Sequence, residues 1–206
     1  MDKFKTILWD FDGVIMDSMP VRDKGFEIVL KNYPPKQVSL LMEYHRNNGG
    51  LSRYHKFRYF FEEIRQESIT DADINILAEE FSVVMLQNLL DSSLLIEDSV
   101  KFIKDNYSKY NMHIVSGSDG NELRHICESL GLSKYFISIH GSPTPKKQLV
   151  ADLLTQNKYK NIETCLIGDS FNDLDAAEVN DISFYGYNNE ILLTKSKTYI
   201  KTFLNI

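Results

Sequence analysis

The chain has 206 residues and a net charge of −6. That length suits one large domain or a core domain with an insert, and the acidic balance gives no electrostatic reason to bind nucleic acid or an anionic membrane. Two cysteines, Cys127 and Cys165, are too few for a disulfide framework and lie in apolar-periodic segments, so they read as reduced core thiols.

Residues 6–9 form a short apolar run of β character that ends in the acidic turn Asp10-Phe11-Asp12-Gly13. Met1-Asp2-Lys3 leads straight into this run, so no secretory leader is expected. No apolar stretch approaches the roughly 20 residues needed to cross a bilayer. A cytoplasmic location is expected.

Residues 20–92 show no convincing strand. Helical periodicity covers 24–33 and 37–46, and 52–66 is rich in aromatics (Tyr54, Phe57, Tyr59, Phe60, Phe61) whose spacing suits a buried helix face. Thr70 or Asp71 is placed to cap a long helix running to about residue 90. From there helices and strands alternate. A helix over 98–107 precedes a strand over 112–115 that ends on Ser116-Gly117-Ser118. A helix over 121–130, stopped by Gly131, precedes a strand over 136–139. A helix over 146–156 precedes a strand over 164–167 ending on Gly168-Asp169. A helix over 174–179 and a strand over 182–187 follow.

Such alternation predicts a parallel sheet with right-handed crossovers. The expected fold is α/β: a doubly wound, Rossmann-like core over 1–16 and 93–206, with an all-helical cap over 17–92 inserted after the first strand.

Ligands of open parallel sheets bind beyond the carboxyl ends of the strands. Asp10, Asp12, Ser116, Asp169 and Asp173 fall at or just after such ends, and Lys146 opens a helix between them. Converging carboxylates repel: two unit charges at 4 Å cost about 4 kcal/mol at an effective dielectric of 20. A cation is therefore implied, and an all-oxygen donor set with no His or Cys points to a hard ion such as Mg²⁺ and to phosphoryl chemistry. One carboxylate of the Asp10/Asp12 pair can attack phosphorus. The other can protonate the leaving alcohol and then deprotonate water, which requires a pKa raised above the usual carboxylate value. Ser116 can hydrogen-bond a phosphate oxygen, and Lys146 can neutralise charge on the transferring group.

With these residues in view, the chain resembles the haloacid dehalogenase superfamily in its phosphatase branch, among phosphoglycolate phosphatase-like and beta-phosphoglucomutase-like members. The family's Asp-x-Asp-Gly-Val/Thr motif is matched by Asp10-Phe11-Asp12-Gly13-Val14, and its Ser or Thr closing a strand by Ser116. Its helix-start Lys is matched by Lys146, and Gly-Asp-x-x-x-Asp by Gly168-Asp169 with Asp173. The resemblance implies Asp10 as nucleophile and Asp12 as acid/base. It implies Mg²⁺ held by the Asp10 carboxylate, the Asp12 backbone carbonyl and Asp169, with Asp173 in or near the shell.

Lys147 is the rival of Lys146, but Leu149, Val150, Leu153 and Leu154 put Lys146 on the sheet-facing side. The presence of Asp12 separates the chain from relatives that dehalogenate or cleave phosphonates.

The loop Asn47-Asn48-Gly49-Gly50-Leu51-Ser52-Arg53 is the best candidate for substrate selection in the cap. Arg53 is weighed as an anchor for an anionic or polyol group against an ordinary exposed arginine, which the sequence favours. His45 and His55 flank the loop as further candidates, and Gly117 lies beside Ser116. Asp17 and Asn172 are candidate supports for the site. The expected substrate is a small phosphorylated metabolite (a sugar, polyol or small-acid phosphate), turned over by a monomer or homodimer. The rival readings are a phosphosugar mutase on the same core and a non-catalytic binding or regulatory protein.

Overall fold

The computed structural model describes residues 1 and 3–204. Six strands form one parallel sheet: β1 (Thr6–Trp9), β2 (Asn111–Asp119), β3 (Ser138–Ser142), β4 (Thr164–Gly168), β5 (Ser183–Tyr187) and β6 (Tyr199–Ile200), in the order β3-β2-β1-β4-β5-β6. The direction of winding reverses between β1 and β4, the position at which doubly wound folds open a crevice for ligands.

All four residues of β1 are buried, as a strand covered on both faces requires. Their alternation divides the core. Ile7 and Trp9 point to one side, where Trp9 meets Phe102 and Phe203. Leu8 points to the other, with Val115, Leu166 and the Leu149, Val150, Leu153 and Leu154 face of α7 (Lys146–Asn157).

The segment between β1 and β2 is helical: α1 (Met19–Val29), α2 (Pro35–Asn47), α3 (Arg53–Tyr59), α4 (Asp71–Asn88) and α5 (Glu97–Asn106). Phe26, Phe57 and Phe81 pack ring on ring inside it, and Phe60 packs edge-on against Tyr33 and Phe61. This apolar cluster is continuous with the sheet side that holds Trp9. The aromatic-rich stretch over 52–66, expected to be helical, is α3 followed by a π-helical turn, Phe60–Ile64. Thr70 caps α4 by accepting from the Asp73 amide.

Several boundaries differ from the sequence reading. α1 begins at Met19 rather than 24, because Pro20 sits in the first turn, where its missing N–H costs nothing. β2 runs on through Ser116, Gly117 and Ser118 to Asp119, with a register shift against β3 between Val115 and Asp119. Irregularities of this kind re-aim side chains beside functional sites. β3 starts at Ser138 rather than 136, since a 3-10 turn, Ser133–Tyr135, occupies the approach. After β3 and α7, α8 (Phe171–Val179) starts three residues early on a capping box between Ser170 and Asp173. The short α9 (Leu192–Lys195) and β6 carried too few periodic residues to be read. α6 (Gly120–Ser129) lies between β2 and β3 and is capped by Asp119. Cys127 and Cys165 are free and buried, and burial raises both thiols to about 12. Among the described residues no helix is long and apolar enough to cross a membrane.

Candidate active site

The chain delivers its acidic residues where β1 and β4 stop, side by side. Asp10 follows β1 and its amide donates to Ile167 O of β4, which ties the two strand ends together. Asp10 is only 2% exposed. Its Oδ1 lies 2.8 Å from Lys146 Nζ and has no aligned hydrogen bond.

Lys146 is buried at the start of α7 and also donates to Asp173 Oδ1, whereas Lys147 is exposed. Asp173 Oδ2 accepts from the Ser170 amide and hydroxyl, so one carboxylate caps α8 and faces Lys146. Oxygens of Asp10, Asp169 and Asp173 lie within 4.8 Å of one another.

Gly13 makes room for this group. Its φ is +74°, and a Cβ there would fall 2.1 Å from Asp169 Oδ2. Asn188 and Asn189 brace the loops by donating to Gly13 O at 3.0 Å and Asp169 O at 2.7 Å.

Three carboxylates facing one ammonium leave excess negative charge. Burial and the Asp173 charge push Asp10 up to about 7, with Lys146 opposing. Burial and then Asp10 push Asp169 well above the usual carboxylate range. Burial opposes the charge on Lys146, but Asp10 and Asp173 outweigh it and raise the amine. A cluster of hard oxygens, one of them lacking a hydrogen bond, short of positive charge and given space by a glycine, fits Mg²⁺.

The Asp12 carboxylate lies outside this cluster. Oδ1 accepts from Arg22 Nε at 2.6 Å and from Ser18, and Oδ2 accepts from Ser118. Burial pushes Asp12 upward, but Arg22 and the Ser118, Ser18 and Arg22 hydrogen bonds win and hold it below the usual range. The pKa needed of an acid at this position is therefore not that of the ground-state contacts. Arg22 gives no sign in the sequence, because the helical periodicity there begins at residue 24 whereas α1 begins at Met19. Ser18, fully buried, takes the supporting place expected of Asp17, which is exposed.

Ser116 is buried and its Oγ accepts from the Ser118 amide at 3.1 Å. A Cβ on Gly117 would lie 2.0 Å from Gly50 O, so the expected loop of the helical segment presses on the end of β2. Asn172 Nδ2 donates to the same Gly50 O at 3.0 Å, which joins that loop to α8.

Arg53, expected at the surface, is 5% exposed. Its Nη2 is 2.7 Å from Glu122 Oε2 and its Nη1 donates to Ser82 Oγ. Arg22 Nη1 donates to Glu122 Oε1 at 3.3 Å. Neither Glu122 nor this bridge was legible from sequence. His45 is buried against Lys56, while His55 pairs with Tyr44 near the exterior. Asp10, Asp12, Ser116, Gly117, Arg53 and His45 line one cavity.

A parallel sheet whose winding reverses at an acidic centre, under a helical insert, defines a doubly wound α/β protein with its chemistry at the strand ends. Within that class the chain belongs to the haloacid dehalogenase-like hydrolase family, whose model matches residues 7–187. No curated protein matches the sequence.

Among solved structures, the chain is similar to a predicted phosphoglycolate phosphatase from Haemophilus somnus, at 20% identity and a TM-score of 0.76 over 98% of this chain and 96% of the other. It is similar to beta-phosphoglucomutase from Clostridium difficile, at 17% identity and a TM-score of 0.76 over 97% and 92%. It is also similar to a predicted phosphatase from Clostridium acetobutylicum, at 14% identity and a TM-score of 0.76 over 97% and 94%. At these identities the likeness is one of fold.

Proposed function

We propose that the protein is a Mg²⁺-dependent phosphatase of a small phosphomonoester, working through a phosphorylated Asp10. The observation that carries this reading is the division of labour between neighbouring carboxylates. Asp10 faces Lys146 and the acidic cluster, while Asp12 is turned to Ser118, Ser18 and Arg22.

Asp10, Asp169 and the Asp12 carbonyl would hold Mg²⁺, with Asp173 beside them. When bound, the ion would supply charge neutralisation on the transferring phosphoryl group. An Asp10 carboxylate oxygen attacks phosphorus as the phosphorus–alkoxide bond breaks, and Asp12 gives its proton to the departing oxygen. Asp12 then takes a proton from water, whose oxygen attacks the same phosphorus, releasing inorganic phosphate and restoring Asp10. Lys146 balances charge on the transferring group, and Ser116 with the Gly117 amide orients its oxygens. For Asp12 to carry a proton in the first step, its contact with Arg22 has to give way.

Residues 17–92 act as a cap that closes over the reaction and excludes water. The test is phosphate release from a panel of phosphorylated metabolites with Mg²⁺, comparing wild type with Asp10→Asn. Equal activity in the two proteins sinks the nucleophile assignment. Reading the same panel for isomerised sugar phosphate separates hydrolysis from mutase transfer.

A further inference from the structure

The cap side of the cavity contains a cation that the chemistry above does not use. Lys56, on α3, is 3% exposed and lines the same space as Asp10 and Ser116. Its Nζ has one hydrogen-bond partner, His45 Nδ1 at 2.8 Å. An ammonium only donates, so Nδ1 is the acceptor and the ring proton sits on Nε2, 3.2 Å from Asp23 Oδ1. The imidazole is neutral, since burial, followed by Lys56, lowers it to about 3.

The neighbouring cations are matched differently. Arg22 is bound to Asp12 and Glu122, and Arg53 to Glu122 and Ser82. No carboxylate among the described residues pairs with Lys56. Arg22 adds a second open donor, because its buried Nη2 has no partner. A buried, unpaired ammonium costs several kcal/mol of lost solvation. Apolar packing needs no amine here, and a lysine placed to be pushed down to about 7, first by burial and then by Arg22, is poorly explained as structure alone.

Resting on the phosphomonoester reading above, we infer that the substrate carries a second anionic group, a carboxylate, at the end remote from its phosphate, and that Lys56 receives it with Arg22 alongside. One unmatched positive charge suits a singly charged group. His45, packed at a tilt against Phe26 with its Nε2 3.2 Å from Asp23 Oδ1, sets the direction of the amine. Lys56 is thus a specificity residue on the cap, facing the core-borne nucleophile across the cavity.

The test uses Asp10→Asn protein with Mg²⁺ and a matched pair of ligands, 3-phosphoglycerate and glycerol 3-phosphate. They share a carbon skeleton and differ at the far end, carboxylate against hydroxymethyl. Calorimetric titration should show 3-phosphoglycerate binding roughly 30-fold more tightly. Lys56→Met should bring the pair to within about threefold, and Lys56→Arg should preserve the preference. Propane-1,3-diol bisphosphate should bind more weakly than 3-phosphoglycerate.

Equal affinities for the matched pair overturn the proposal, and so does an equal loss for both ligands in Lys56→Met. Tighter binding of the bisphosphate overturns the choice of carboxylate. If Lys56→Met fails to fold, the matched pair on the Lys56-containing protein and on Lys56→Arg still decides. Phosphate release by wild type is measured in parallel. Its absence sinks the phosphatase reading, whereas the binding difference stands or falls separately.

Discussion

Glu122, in the first turn of α6, lies 2.7 Å from Arg53 of α3 while its other oxygen accepts from Arg22 of α1. Two arginines of the helical insert thus close onto a single buried carboxylate beside the sheet. Removing that charge leaves two buried guanidinium groups short of a partner. Breaking one side of a buried ion pair typically costs about 3–5 kcal/mol. Glu122→Gln should therefore lower stability by about 3 kcal/mol in urea denaturation. Adding Arg53→Met should recover part of the loss, and a double-mutant cycle without coupling between the two sites would contradict this.

Asp10→Asn should separate activity from stability. Phosphate release should drop by roughly four orders of magnitude if Asp10 is the nucleophile. The metal-free variant should nonetheless melt above wild type at pH 8, because the ionised carboxylate is disfavoured by burial and by Asp173. At pH 5, where the wild-type Asp10 is protonated, the gain should shrink. A variant that melts lower at both pH values would show that the contact with Lys146 dominates.

The pH dependence of the metal-free protein follows with its sign. Asp10 is raised from 3.8 to about 7, so its contribution to stability is full below pH 4 and is lost as pH rises through 7. Asp169 is raised too and acts in the same sense. Asp12 is lowered and acts oppositely: its contribution is present above pH 4 and is lost as pH falls further. Metal-free protein should therefore be most stable near pH 5 and weaken toward pH 8. Mg²⁺ should raise the melting temperature more at pH 8 than at pH 5, since it competes with protons for the same oxygens. A pH-independent Mg²⁺ effect in differential scanning fluorimetry would place the ion elsewhere.

Gly117→Ala introduces a methyl 2.0 Å from the Gly50 carbonyl oxygen. The end of β2 and the insert loop cannot both keep their places. Turnover should fall, while secondary structure by circular dichroism stays that of wild type. Activity within about twofold of wild type would show that the loop can retreat at little cost.

Much of the candidate site was legible because it is local. A buried strand, an acidic turn and a glycine are contiguous at residues 6–13, and the helical phase of Leu149 and Val150 selected Lys146 over Lys147. What escaped is what the chain brings together from a distance. Ser118 meets Asp12 across 106 positions, and Arg22 meets Glu122 across 100. No periodicity records such pairings. Arg53 looked like a surface residue because arginine usually is, and only the insert's packing against α6 makes it otherwise. Ser18 rather than Asp17 supports Asp12 because the chain turns there, and residue type alone points to the wrong neighbour. The start of α8 was missed for a chemical reason: its cap partner is an aspartate that also belongs to the acidic cluster.

That double employment of Asp173 has a consequence for how the site can be watched. The oxygen that accepts from Ser170 and the oxygen that faces Lys146 belong to one rigid carboxylate, so fraying of the first turn of α8 would also loosen the charge beside Asp10. The amides of Ser170 and Asp173 therefore act as reporters. Their hydrogen-exchange rates track the integrity of the acidic centre, and a ligand that steadies the centre should slow exchange at the head of α8.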